Sequence, residues 1–339
     1  DFLKKMWDSN YGGFYQDVDR SSRPLHSDDK KTAYGNAFAI YGLSAYYEVS
    51  GDSTALQLAK ETFRWLEKYS HDSLYNGYFQ DLARDGKVLQ RNDSTPDHIT
   101  IGYKDYNSSI HLLEAFTDLY KIWPDTLVRK RLSEMYNLVK DTMINDRHFL
   151  EMYFEPNWKH VTFYGQDSAT IRKHFSMDHV SFGHDIETAY LLLEAAHALG
   201  IPDHHALRDE LRLIVDQSLK GFDTSNGGLY DEGYYFDRSK DITIIKDSKV
   251  WWAQAEALNT LMIFHDFYPD AIYGKLYAKQ WDYIQQNIID SNFGGWYQFG
   301  LDTRPDAKKA PKGSAWKTTY HDGRALINLY ERYAKSITP

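Results

Sequence analysis

The chain reads as an all-α protein, an (α/α)6 barrel of helical hairpins with short β-hairpins in its long loops. Two observations predict this. Helix-period apolar segments come in pairs, and a Gly-aromatic motif returns at a nearly fixed spacing through the 339 residues. The motif is Tyr11-Gly12-Gly13-Phe14-Tyr15, then Asn76-Gly77-Tyr78-Phe79, Gly227-Gly228-Leu229-Tyr230 and Gly294-Gly295-Trp296-Tyr297. Gly12 and Gly77 lie 65 residues apart, Gly228 and Gly294 lie 66 apart, and the gap of 151 between Gly77 and Gly228 leaves room for a degenerate copy near Phe149–Phe154. A linear solenoid of the same hairpins is the competing architecture.

In chain order, helices are expected over 32–49, 54–70, 106–122, 127–145, 184–199, 204–220, 249–268, 272–288 and 321–335. Leu58, Thr62, Trp65 and Tyr69 share one face, as do Val128, Leu132, Met135 and Val139, and Leu207, Leu211, Ile214 and Ser218. Gly200 and Pro202 stop one helix and Gly221 another. Helices starting near 32, 106, 184, 249 and 321 follow long loops and are the expected inner helices. Region 146–183 reads as short strands and loops. Asp1 to Met6 resembles the tail of an interrupted helix, so an N-terminal element is expected ahead of it. No Pro/Ser-rich linker divides the chain, and 1–339 is expected to be one catalytic domain.

Composition excludes several functions. A net charge of −9 without a basic stripe argues against nucleic acid. No apolar run approaches the ~20 residues that span a bilayer. Zero cysteines removes disulfides and thiol chemistry and fits a cytoplasmic protein. Aromatic residues reach 16%. Such rings suit either helix packing or the two sides of a sugar.

Groups able to do chemistry fall near the starts of the expected inner helices. His111 stands in Lys104–Glu114, with Tyr106 and Asn107 ahead of it. His184 and Glu187 open the next helix, Trp251, Trp252 and Glu256 another, and His321 follows Trp316. Imidazole is the side chain best matched to moving protons at neutral pH. His184 and Glu187, three apart, share a helical face. Helix starts from alternate hairpins would converge at one end of a barrel, where free N–H groups favour developing negative charge. Taken singly, each histidine or tryptophan reads better as a packed core or helix-start residue; only their joint placement at one barrel end favours chemistry. Metal binding by His184, Asp185 and Glu187 is weakly supported, since Asp185 points elsewhere on the helix.

In order and spacing these segments resemble the N-acylglucosamine 2-epimerase superfamily, and most its bacterial cellobiose 2-epimerase and mannose 2-epimerase branch. The resemblance implies an (α/α)6 barrel enzyme that is a cofactor-independent isomerase. It implies that His184 and His321 exchange the C2 proton, with Glu187 as partner carboxylate and His111 contacting the reacting sugar. Trp252 and Glu256 would line the sugar site, with Trp316 stacking; Asn36, Tyr106, Asn107, Tyr190 and Trp251 complete the expected binding set. Three departures stand out. Phe38 follows Asn36-Ala37 where the family carries arginine, Tyr190 stands where the branch often has Trp, and Ser109 where a further His is common.

On that reading the substrate is a glucose- or mannose-configured reducing sugar, free or at the end of a β-1,4 disaccharide. C2 is acidic enough for a histidine only when C1 is a free aldehyde. His321 would open the ring, one histidine would take the C2 proton, and reprotonation of the enediolate would give the epimer at C2 or the ketose at C1. Neither cofactor nor metal is expected, and the partner is a small sugar, with the protein a monomer or homodimer. The rivals are an (α/α)6 glycoside hydrolase using a carboxylate pair among Asp105, Asp185 and Glu187, and a non-catalytic sugar-binding protein.

Overall fold

Each helix expected from periodicity forms, and its ends are set by local chemistry. The computed structural model describes residues 2–25, 30–96, 99–202, 205–237 and 240–337, with side chains to 334. Asp1 and position 204, where one expected helix began, lie outside the described residues. The chain divides into two compact units: Asp1–Asn145 with Glu151–Asp178 and Leu191–Pro202, and Asp146–Leu150 with His179–Tyr190 and Asp203–Pro339.

The first unit opens with the short helix α1 (Phe2–Lys5), followed by α2 (Ala33–Ser50) and α3 (Ser53–Tyr69). Then come α4 (Tyr106–Ile122) and α5 (Thr126–Leu138). Thr32, Asp52, Asp105 and Asp125 cap the starts of α2 to α5 through side-chain oxygens that accept otherwise unpaired helix N–H groups. Gly51 ends α2 in the left-handed conformation, φ 68°. Helix α2 packs on α3 and α4, and α4 on α5. The expected 127–145 helix changes at Leu138 into a π-helical turn, Val139–Met143, which keeps both of its end residues fully buried. Within 146–183, the six-residue α6 (Ser168–Lys173) is too short to leave a period in the sequence.

In the second unit, α8 (His205–Ser218), α9 (Trp251–Phe267), α10 (Tyr273–Asn287) and α11 (Tyr320–Ile337) follow the first half of α7 (Phe182–Leu199). Helix α9 packs on α10 and α11. It is apolar nearly all round and buried, with Ala253, Ala255, Leu258, Leu261 and Phe264 at zero exposure, as an inner helix should be. Helix α11 departs from that expectation: Ile327 and Tyr330 are exposed on a face turned away from α9.

Two-residue strands lead into the inner helices. β1 (Lys31–Thr32) pairs antiparallel with β2 (Asp81–Leu82), and β3 (Lys104–Asp105) with β4 (Tyr153–Phe154). β5 (Val180–Ser181), β6 (Glu232–Tyr234) and β7 (Thr243–Lys246) form a three-stranded antiparallel sheet. Among the described residues, no helix is long and apolar enough to cross a membrane.

The glycine repeat has a physical cause. Asp8, Asp72, Asp223 and Asp290 each stand four residues before the motif and accept two backbone N–H groups of its turn. The second oxygen of each holds a lysine from the segment before an inner helix: Lys31 at 3.0 Å, Lys104 at 2.7 Å, Lys249 at 2.8 Å, and Lys312. The same ammonium bonds the carbonyl of the turn's first left-handed residue, Gly12, Asn76, Gly227 or Gly294, which stands four positions after the aspartate. Both Gly12 and Gly13 are left-handed, and a Cβ at Gly13 would strike the Trp65 ring at 2.7 Å. The fourth residue of an inner helix accepts the N–H that follows the turn: Asn36 from Phe14, Gln254 from Leu229, and Asp185 from Leu150 in the degenerate copy.

Candidate active site

Three helices of the second unit bring their first turns together. From α7 come His184, Glu187 and Tyr190, from α9 Trp252 and Glu256, and from α11 Tyr320, His321 and Arg324. Within α7 and α9 these residues are three or four apart, and on α11 Arg324 is four from Tyr320 and three from His321, so each set shares a face. Gly183 makes the approach feasible, because a Cβ there would meet the Trp252 ring at 2.5 Å.

The Trp252 ring contacts two imidazoles. Its centroid is 4.4 Å from that of His184 and 5.5 Å from that of His321, both tilted. The Ser181 hydroxyl engages His184 Nδ1 at 2.8 Å. His321 Nδ1 is 2.5 Å from Glu256 Oε1 and 3.9 Å from Glu187 Oε1. An Nδ1–H donated to Glu256 fixes the tautomer and makes Nε2 the basic nitrogen. Both histidines are half-buried, accessible to a small ligand.

Glu187 and Glu256 are fully buried, which charged carboxylates tolerate only when paired. Arg324 supplies the pairing. Its Nη2 donates to Glu187 Oε1 at 2.6 Å and to Glu256 Oε1 at 2.8 Å, and its Nη1 to the Tyr320 hydroxyl at 2.5 Å. The guanidinium rests on the rings of Tyr320, at 4.3 Å, and Tyr190, at 5.2 Å. Glu187, Glu256 and His321 place their ligand atoms within 4.8 Å of one another, a spacing compatible with a metal ion. The guanidinium already bonds one oxygen of each carboxylate at hydrogen-bond distance, so the donor set is organised around an organic cation and fits a metal ion poorly.

The remaining expected residues divide. Tyr190 is buried beneath Arg324, Trp251 is buried with Lys317 Nζ 5.4 Å above its ring, and Trp316 is 68% exposed. His111, Asn107, Tyr106 and Asn36 belong to the first unit. There His111 Nδ1 is 3.2 Å from Glu114, and its ring packs against Tyr34 at 5.2 Å and Phe38 at 4.8 Å. Tyr106 is buried and Asn107 half-buried. Asn36 is corrected as a sugar ligand. It has zero exposure, its carbonyl accepts from Phe14 N–H and its amide donates to Thr32 O, so it is a frame residue.

The rival carboxylates are corrected likewise. Asp105 caps α4, accepting from Ser108 N–H at 2.7 Å and from the Ser108 hydroxyl, and burial pushes its carboxyl up to about 6 against those bonds. Asp185 is fully buried with Leu150 N–H on one oxygen, and burial raises it well above the usual carboxylate range. Sequence reasoning missed Arg324, Tyr320 and Ser181. The only signal for Arg324 was a cation three residues after His321.

Hairpins of helices carrying an acid–base cluster on the first turns of inner helices define a class of sugar-processing enzymes, and likeness to known proteins narrows it. The chain belongs to the N-acylglucosamine 2-epimerase (GlcNAc 2-epimerase) family, whose model matches residues 1–325. It is 30% identical to the cellobiose 2-epimerase of Ruminococcus albus, over 96% of this chain and 77% of that one. It is 25% identical to the D-mannose isomerase of Marinomonas mediterranea, over 94% of this chain and 75% of that one. The solved cellobiose 2-epimerase of Bacillus thermoamylovorans B4167 superposes with a TM-score of 0.82 at 27% identity, covering 98% of this chain and 79% of that one. The all-α barrel class expected from the hairpin pattern is the fold this likeness assigns. The protein is an enzyme of the epimerase and isomerase type acting on sugars.

Proposed function

We propose that the enzyme is a carbohydrate 2-epimerase that interconverts glucose- and mannose-configured reducing sugars, with the reducing end of a β-1,4 disaccharide as preferred substrate. The observation that carries it is the pair of imidazoles that contact the Trp252 ring, each engaged through Nδ1; we assign proton transfer to their Nε2 atoms. The name of the Ruminococcus albus relative supports the disaccharide.

His321 donates a proton to the ring oxygen as the C1–O5 bond breaks and takes one back from the O1 hydroxyl, leaving the aldehyde that acidifies C2. One histidine removes the C2 proton and the electron pair moves to O1, forming a cis-enediolate. The other returns a proton to the opposite face of C2; on ring closure the hydroxyl at C5 gives its proton back to His321 while O1 takes the proton held by the first histidine, which restores both. Glu256 steadies the imidazolium of His321, and Trp252 carries the apolar side of the sugar. Glu187 orients the cluster. Trp316 is assigned as a stacking ring.

Incubation with cellobiose, mannobiose, glucose and mannose in D2O, followed by NMR, tests the reading. The expected result is the 2-epimer with deuterium at C2. An intact sugar with no exchange at C2 sinks it, and new reducing ends would indicate hydrolysis. The likeness to a D-mannose isomerase favours one second reading, aldose–ketose isomerisation, which would place deuterium at C1 of a ketose.

A further inference from the structure

We propose that Arg324 is a positioning residue for the acid–base chemistry: it keeps two buried glutamates ionised side by side so that Glu256 can hold the Nδ1 proton of His321. The inference rests on the proposed function for its effect on turnover, but its structural part stands alone. One nitrogen of Arg324 bonds Oε1 of both glutamates, and His321 Nδ1 faces the same two oxygens at 2.5 and 3.9 Å. All the ligand atoms of this trio fall within 4.8 Å.

Two buried carboxylates so close repel each other strongly, because little water screens them. A buried like-charged pair relieves this by sharing a proton, which raises one of its ionisations. A guanidinium cannot lose its proton at any working pH and bonds both acceptors at once, which an ammonium does less well. The groups facing Glu256 and His321 bear this out. Glu187 and Tyr190 come from α7, Tyr320 and Arg324 from α11, and Trp252 from α9 contacts both His321 and His184. With Arg324 in place, both Oε1 atoms are acceptors. Without it, a proton would settle between the glutamates, and the oxygen that receives His321 Nδ1–H would weaken as an acceptor.

The test is Arg324→Met, with Arg324→Gln as a second neutral variant should the first not fold, and Arg324→Lys as the cationic control. Proton NMR of the Nδ1–H of His321 needs no turnover. In the wild-type enzyme it is expected far downfield at pH 7. In the neutral variants it is expected to vanish there and to return at higher pH, when the shared proton leaves. The epimerisation turnover number should fall about 100-fold at pH 7 and recover as pH rises, with KM little changed. The lysine variant should hold its acid limb nearer the wild-type position. An Nδ1–H signal unchanged in the neutral variants, or an acid limb that stays where the wild-type one lies, overturns the proposal. Should the wild-type enzyme show no C2 exchange while the NMR result holds, the proposed function fails and the assignment of Arg324 as a clamp survives.

Discussion

Each unit contains an imidazole bonded to a glutamate, and their surroundings differ sharply. In the first, His111 reaches Glu114 on its own helix at 3.2 Å and is closed in by Tyr34 and Phe38, with 3% of its surface exposed. In the second, His321 reaches Glu256 on a different helix at 2.5 Å, with Arg324 behind and Trp252 beside it. A histidine–glutamate pair three residues apart on one helix is available to any helical protein. A pair drawn from α9 and α11 depends on how two helices pack, and here one guanidinium bonds both glutamates. The contrast teaches why the proposed proton transfer is assigned to the cluster assembled across helices and not to the local pair.

The sharpest way to break this contrast is substitution at its centre. His184→Ala and His321→Ala should each cost 10²–10⁴ in turnover, on the order of one general acid–base group, while circular dichroism stays that of the wild-type enzyme. Near-normal deuterium exchange in either variant would remove the assignment. His111→Gln should cost roughly tenfold, about 1.4 kcal/mol of transition-state stabilisation; a loss as large as that of His321→Ala would erase the distinction between the two units.

The repeated lysine latches offer a comparison of stability. Lys249 is fully buried between Asp223 and Asp302. Burial alone would raise the Asp223 carboxyl, but the Lys249 ammonium and the N–H groups of Asn226 and Ser225 hold it well below the usual range. Lys249→Met should therefore destabilise by about 3–5 kcal/mol in urea unfolding. Lys312→Met, at a latch whose lysine side chain is 31% exposed, should cost at most about 1 kcal/mol. Equal losses would show that burial does not decide the strength of the latch.

The smallest expected effect is a pH slope. The Asp105 carboxyl lies at about 6 in the folded protein, against 3.8 as the ordinary value. Between those values the folded chain keeps a proton that the unfolded chain has released, so stability falls as pH rises from about 4 to about 6. Asp105→Asn should flatten that slope in unfolding curves at pH 4.5 and 6.5; an unchanged slope would mean that another group carries it.

Much of the frame is legible in the sequence. Periodicity locates the helices because packing on one face writes an apolar repeat into the chain, and the Gly-Gly pairs mark left-handed turns that other residues resist. The carboxylate four residues before each turn is equally visible but carries no signal by itself, since a lone Asp has many uses. Asn36 misleads for the opposite reason. Its place beside a family motif suggests a ligand, yet its amide is spent on the backbone of Phe14 and Thr32.

From the order of residues alone come the paired helices, the turns that join them, and the histidines at their starts, because each depends on neighbours within a few positions. Tertiary structure alone decided which carboxylate answers which imidazole. Glu256 and His321 are 65 residues apart, Glu187 and Arg324 137 apart, and a buried charge is stable only beside the partner that folding delivers to it.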